Sequence, residues 1–435
     1  MKRVLAIPMV FAVSTAFAVL TPPAASATGP VVASLSASTS LPPLRAGDWL
    51  MYRDRDAHGG WNGSETLLST STAGSLVPIF AFPAAGAFIP EQLGAVGHGL
   101  LFAQGAGGGL SAFDAATGQV RWTAPSAGTE VALGGDVVYT VTAAGTIVVL
   151  DAATGRSRWQ LTVPGDWVSF YGQALRPPTL VNGCLLVSGI QSYPVSPTVT
   201  WRRSVVDCFS VATRSLRWST VVAAPDSTIG APSADSRGVF VATDGHTVTA
   251  LSLTTGAIRW QTASAVGSET STPMPSPVVR GDRVMVGFAG GSFRAFNIST
   301  GQQVWSQQAC PASPSAIFAT AASANGVDYV TCENYSNTVA ADLVAVSEAD
   351  GHIIWSVRSN EDNSPPTVAN GVVYVGTTAT GSNGLAAYGA ANGILLGSWT
   401  VPGPGGHYDA VTEPIVSHGR VYIGTATAST AFGLP

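Results

Sequence analysis

The sequence predicts an all-β fold, an eight-bladed β-propeller of four-stranded antiparallel blades whose ring is closed by N- and C-terminal strands. Three observations carry this prediction. A turn-and-tryptophan motif of the form D-x-x-T-G-x-x-x-W returns along almost the whole chain, and a glycine followed by a short alternating apolar strand precedes each copy. The composition, with 49 Gly, 28 Pro and only 10% charged residues in 435, suits short strands and tight turns rather than long salt-bridged helices.

At the amino terminus Lys2 and Arg3 precede an apolar stretch to Leu20 and a small-residue site at Ala25-Ser26-Ala27. This is the pattern of a secretory signal over residues 1–27, cleaved after Ala27. Residues 28–46, rich in Ser, Ala, Thr and Pro, read as a flexible leader, and residues 47–435 as the propeller. Lys2 is the only lysine, so the chain beyond the signal carries 18 arginines against 25 acidic residues, a formal charge of about −7. That balance argues against nucleic acid or an anionic membrane surface as partner, and the missing lysine excludes a Schiff-base lysine, a phosphate-loop lysine and a Ser-Lys dyad. No later apolar run is long enough to span a membrane.

The motif copies are FDAATGQVRW (113–122), LDAATGRSRW (150–159), FSVATRSLRW (209–218), LSLTTGAIRW (251–260), FNISTGQQVW (296–305) and VSEADGHIIW (346–355), with a worn copy ending at Trp399. Strand openings begin at Gly99, Gly135, Gly183, Gly238, Gly281, Gly326, Gly371 and Gly419, and the resulting units of 36 to 55 residues suit one blade each. In the turn, Asp and Thr side chains bond their own backbone while Gly supplies a positive φ. Trp122, Trp159, Trp218, Trp260, Trp305, Trp355 and Trp399 recur at architectural spacing, which predicts structural wedges between blades rather than a sugar-binding platform.

Eight openings against seven tryptophan closings leave one blade incomplete. The orphan strand GSLVPIFAFP (74–83) is expected to complete it beside the C-terminal strand, which removes the open edges of the ring; a seven-bladed ring is the alternative if the last segment overlaps the first. Blade topology then pairs the cysteines as Cys184 with Cys208 and Cys310 with Cys332.

Residues 54–65, DRDAHGGWNGSE, resemble the spacing of an EF-hand loop. His58 stands at a ligand position and no helical pattern flanks the segment, so a calcium site is not expected there.

The repeat resembles that of the pyrroloquinoline quinone (PQQ) repeat β-propellers, the quinoprotein alcohol dehydrogenase-like family, over residues 48–435. The stretch before the first blade is similar to the W-x-x-(F/Y)-x-x-D-x-x-x-x-G pattern that often precedes theirs: Trp49, Tyr52 and Gly60 fit, while Arg55, flanked by Asp54 and Asp56, takes the place of the aspartate. For the enzymes of that family the resemblance implies PQQ held with calcium or a lanthanide, a catalytic aspartate and often a disulfide between adjacent cysteines. This chain has no Cys-Cys dipeptide and no C-x-x-C-H, and only its structural repeat positions match, so no catalytic residue carries over. Another relative of the fold, a Gram-negative outer-membrane assembly lipoprotein, serves as a scaffold for proteins; the cysteine that would anchor such a lipoprotein is missing here.

Other catalytic patterns are missing too: there is no G-x-S-x-G and no H-E-x-x-H, and His58, His98, His246, His352, His407 and His418 are scattered, each expected on the surface or in a turn. Any ligand should meet the face where the longest loops lie, converging Trp167, Tyr171, Arg176, Tyr193, Trp201, Arg202, Arg203, Tyr335, Glu361, Asp362, His407, Tyr408 and Asp409 around the central channel. The expected function is a secreted or envelope-associated binding or scaffold protein, a monomer without metal or cofactor, whose partner is a protein, peptide or glycan of the cell envelope. The alternative is a dehydrogenase using PQQ with calcium to oxidise alcohols or sugars.

Overall fold

Each repeat unit folds as one radial sheet because its apolar residues alternate on strands too short to bury both faces alone. The computed structural model of the protein describes residues 41–55, 57–82, 93–104, 109–128, 130–168, 175–196, 199–223, 228–243, 247–262, 276–310, 316–318, 320–334, 342–358, 362–379, 382–401, 411–425 and 429–435. Within them eight sheets form, with innermost strands at Ala95–Gly97, Glu130–Gly134, Thr179–Val181, Ser233–Asp235, Val278–Arg280, Ala322–Ala324, Thr367–Ala369 and Ile415–Ser417. These head blades 1 to 8, and in each the next strands follow outward as antiparallel neighbours.

Blade 8 takes its fourth strand from the other end of the chain. Val77–Phe82 pairs antiparallel with Ser429–Gly433, from Val77↔Gly433 to Phe82↔Ser429, as the orphan strand and the incomplete last repeat predict. The core is then eight apolar clusters among the described residues, one between each pair of neighbouring blades. The cluster that joins blade 8 to blade 1 unites Tyr422 and Ala431 with Phe82, Leu101 and Phe113.

The recurrent tryptophans lock one blade to the next. Asp151 Oδ1 accepts from the backbone N–H groups of Ala153 and Thr154 and from the Thr154 hydroxyl, which shapes the turn and brings Gly155 to φ 69°. Trp122 of blade 1 lies on that turn, donates from Nε1 to Ala152 O at 3.0 Å, and would stand 2.5 Å from a Cβ at position 155. Trp218, Trp260, Trp305 and Trp355 repeat the arrangement with Leu253, Ile298, Glu348 and Ala390.

Two positions depart from the repeat. Arg214 replaces the turn glycine, keeps its left-handed φ of 55°, and sets its guanidinium 5.8 Å from the centroid of Trp159. At the closing blade Phe80 stands in for tryptophan over Gly118, where an added Cβ would approach the ring to 2.5 Å.

The disulfides Cys184–Cys208 and Cys310–Cys332 are both formed as expected. Within the expected leader, Leu41 and Leu44 pack against the cluster between blades 1 and 2. Among the described residues no helix is long and apolar enough to cross a membrane.

Candidate functional site

Residues 49–55 and 57–62 enter the centre of the ring, and there they touch the innermost strand of every blade. Trp49 and Val96 exchange backbone hydrogen bonds on blade 1, and Leu50 O accepts from Leu133 N on blade 2. His58 Nε2 lies 3.0 Å from Thr179 Oγ1 on blade 3, and its Nδ1 lies 3.0 Å from Ser233 Oγ on blade 4. Ala57, Gly59 and Gly60 accept through their carbonyls from Val279, Ser323 and Val368 on blades 5, 6 and 7, and Asn62 Nδ2 donates to Val416 O on blade 8. The stretch with EF-hand spacing is therefore a turn followed by the short strand Trp61–Asn62, parallel to the inner strand of blade 7.

Charge inside the channel is compensated locally. Arg53, fully buried, meets Glu413 Oε1 through Nη1 at 2.7 Å and donates to the carbonyls of Pro366 and Ala321. Arg53, Asp54 and His58 hold φ of 58°, 77° and 52°, a left-handed backbone that costs non-glycine residues about 1 kcal/mol each and that the surrounding contacts must impose. Burial pushes the Asp54 carboxyl up to about 7 against the pull of Arg55, and Oδ1 has no hydrogen-bond partner.

Burial, reinforced by Arg53, lowers His58 to about 3, so the ring is neutral near pH 7. A neutral ring carries one N–H. Thr179 and Ser233 give their own hydroxyl protons to the carbonyls of Pro232 and Pro277. His58 closes a turn through its backbone N–H to Arg55 O, but the turn is buried at the axis rather than on the surface, and the ring meets two hydroxyls in place of solvent. His98 and His418 do occupy turns, at φ 59° and 49°, and His352 is exposed.

Of the described members of the candidate binding set, Trp167, Arg176, Tyr193, Trp201, Arg202 and Arg203 lie on or beside blade 3, where the segment read as a loop, GIQSYPVSPTVTWRRS, continues the second and third strands, and Asp362 lies on blade 7. Cys184–Ser196 and Val199–Ser210 run 13 and 12 residues and pair from Cys184↔Ser210 to Ser196↔Val199, forming a two-stranded ribbon beyond the blade. Elsewhere the second and third strands have 4 to 8 residues.

Tyr193 and Trp201 are directly opposed, with ring centroids 6.5 Å apart, and Trp201 is 41% exposed. Arg203, on the same face, lies 5.3 Å from the Tyr193 centroid and donates through Nη2 to Gln191 Oε1 at 3.1 Å. Arg202 projects from the opposite face. Trp167 flanks the ribbon base through the pair Trp167↔Gln191, and Arg176 donates to Ile229 O on blade 4. Asp207, buried further down the Arg203 face, has its carboxyl raised to about 6 by burial. Tyr171, Tyr335, Glu361, His407, Tyr408 and Asp409, like His246, lie outside the described residues. Asp362 pairs through its backbone with Thr378.

Eight blades built on four-stranded antiparallel sheets, with recurrent tryptophans bonded to the turn of the next blade, define a propeller of the PQQ-like repeat class. Residues 92–193, 202–341 and 312–432 match the family model described as outer membrane protein assembly factor BamB, and the chain belongs to that PQQ-like family. Tetrathionate hydrolase of Acidithiobacillus ferrooxidans is 26% identical over 223 residues, covering 46% of this chain and 40% of that protein, so the match spans well under half of the relative's length. Quinohemoprotein alcohol dehydrogenase from Comamonas testosteroni superposes with a TM-score of 0.67 at 15% identity, covering 90% of this chain and 81% of that one. A europium-containing methanol dehydrogenase gives 0.66 at 13% identity, with 90% and 98% covered. At these identities the likeness is one of fold.

The quinoproteins of this fold imply PQQ and a metal, which need several oxygen ligands and cations converging on open space. The described residues do not fit. The axis is occupied by residues 49–55 and 57–62, Arg53 is committed to Glu413 and two carbonyls, and a cavity beside Trp49, Tyr52 and Glu413 has room for about one water molecule. Among the described residues no three His, Cys, Asp or Glu side chains come together as a metal site.

Proposed function

We propose that the chain is an exported binding or scaffold protein of the cell envelope and that the blade 3 ribbon is its docking element. The carrying observation is that this blade alone, among the described ones, extends its two middle strands well past the sheet and sets Tyr193, Trp201 and Arg203 on one face of the extension. Large aromatics and arginine are the side chains that anchor protein interfaces. The signal pattern over residues 1–27 and two disulfides support an oxidising, extracytoplasmic setting. A filled axis favours binding at the periphery over chemistry in the channel.

The test is capture from an envelope fraction by the immobilised protein, followed by chemical cross-linking, against a variant in which Asn-Gly replaces residues 192–202. Cross-links at the ribbon that vanish in the variant are expected; identical cross-linked products from both would remove the ribbon from the function. Addition of PQQ and calcium tests the dehydrogenase alternative directly: dye-linked oxidation of an alcohol or sugar would overturn the binding reading.

A further inference from the structure

Blade 6 breaks a rule that the other blades keep. The middle pair between the innermost and second strands is apolar on both sides in all seven of them, as in Val279↔Val284 on blade 5 and Val368↔Val373 on blade 7. On blade 6 that pair is Ser323↔Asp328. The residue whose carbonyl receives the tryptophan of the preceding blade departs there as well: it is Ala152, Leu253, Ile298 or Ala390 on other blades and Glu348 on blade 6. All three departures face blade 5. Their counterparts Val279, Val284 and Ile298 pack against blade 4, and Val368 and Val373 pack against blade 6, so each of these positions looks back at the preceding blade.

The cluster is short of positive charge and of hydrogen-bond donors. Ser323 Oγ has one proton and gives it to Glu348 Oε1 at 2.5 Å. Asp328 is fully buried, and both of its carboxylate oxygens are left without a hydrogen-bond partner. Burial first, and the charge of Glu348 second, hold its carboxyl well above the ordinary value, and neither the nearby Ser323 hydroxyl nor Arg280 offsets them. The Arg280 guanidinium lies instead over the Trp61 ring, 4.1 Å from its centroid. A carboxylate so placed in a protein interior requires a proton or a bound cation. A proton would satisfy Asp328 alone, whereas a cation accounts for all three departures together.

We propose that Asp328, Glu348 and the Ser323 hydroxyl bind a hard divalent cation, of the calcium or magnesium class, that ties blade 5 to blade 6. Every donor is an oxygen, which selects such ions over the softer metals that seek nitrogen or sulfur. The two carboxylates balance its charge, and the Ser323 oxygen can coordinate while its proton stays with Glu348. Glu348 is only half-buried, so water can enter past it to complete a shell of about six to eight oxygens.

The experiment uses the full exported chain, stripped with EDTA and moved into metal-free neutral buffer. Terbium, a luminescent stand-in for calcium, is titrated with tryptophan excitation, because Trp305 bonds to Glu348 O at 2.9 Å and can sensitise an ion at this site. Calcium and magnesium are then titrated separately, as competitors of terbium and against the melting temperature. A saturable signal is expected, displaced by one or both cations, with a melting temperature that climbs with the concentration of the displacing ion. Asp328→Asn should abolish the saturable signal. So should Ser323→Val/Asp328→Val/Glu348→Ala, which gives blade 6 the apolar residues of the other blades; this variant should melt above the metal-free native chain and ignore added cation. Circular dichroism confirms that both variants keep the propeller. Equal terbium saturation in the native chain and in either variant would overturn the proposal. A native melting temperature that ignores both cations but rises as the pH is lowered would overturn it too, by assigning a proton to Asp328.

Discussion

Arg53 of the axial segment and Glu413 at the head of blade 8 meet at 2.7 Å with both side chains buried. Removing one partner leaves the other charge desolvated, which costs about 3–5 kcal/mol. Arg53→Met and Glu413→Leu are each expected to lower stability by that order in urea unfolding, and the double variant to recover most of the loss. A double variant as unstable as the sum of the two single changes would show that the charges act separately.

Phe80 over Gly118 closes the ring where the other blades use tryptophan. Phe80→Ala should cost about 2 kcal/mol, below the value for a fully buried phenylalanine because the ring is half-buried. Gly118→Ala should be worse than Gly135→Ala: both have positive φ, but a Cβ at 135 meets nothing within 4 Å. The latter carries only the backbone cost of about 1 kcal/mol. Equal melting temperatures for the two alanine variants would contradict the aromatic lock.

Asp54 and His58 make opposite contributions to the pH dependence of folding. The Asp54 carboxyl is raised to about 7, so its folded form holds a proton that the unfolded chain releases near 4, and its contribution falls as pH rises from about 4 to 7. His58 is lowered to about 3, so the unfolded chain takes up a proton that the folded form refuses, and its contribution falls as pH drops from about 6.5 to 3. The two largely cancel in the native chain. Asp54→Asn should unmask His58, giving a stability that climbs steeply between pH 4 and 6.5 and exceeds that of the native chain at pH 8. His58→Gln should show the converse slope. Chemical denaturation across pH 4–8 reads both, and parallel curves for all three proteins would refute the assignment.

Cys184 and Cys208 join the two strands at the root of the ribbon across 24 residues of sequence. Replacing both with Ala is expected to cost about 3 kcal/mol. Reducing agent should lower the melting temperature of the native chain and leave the contribution of this bond absent from the variant.

The repeat made the architecture legible because seven tryptophans and eight glycine openings are local signals that do not depend on distant partners. Even the closing strand, Val77–Phe82, could be placed from its orphan status. Phe80 could not be read as the eighth wedge, since nothing near it repeats the turn motif. The ribbon was hidden by Pro194 and Pro197, which ordinarily argue against a strand; Pro194 is accommodated where the pairing register shifts before Ser196. His58 gave no sign of burial because its partners, Thr179 and Ser233, are brought to it only by ring closure. One cue was available: residues 53–58 concentrate five ionisable side chains in a chain that is otherwise poor in charge.

An axial segment bonded to all eight inner strands ties the residues that precede the ring to every blade, the eighth included. Trp49 can find Val96 early, but Asn62 has no acceptor at Val416 until blade 8 has been made. Assembly should therefore be late and concerted, dominated by contacts of long sequence separation and correspondingly slow. Chains cut short before blade 8 would then be unsealed fragments with an unseated hub, not smaller working wheels.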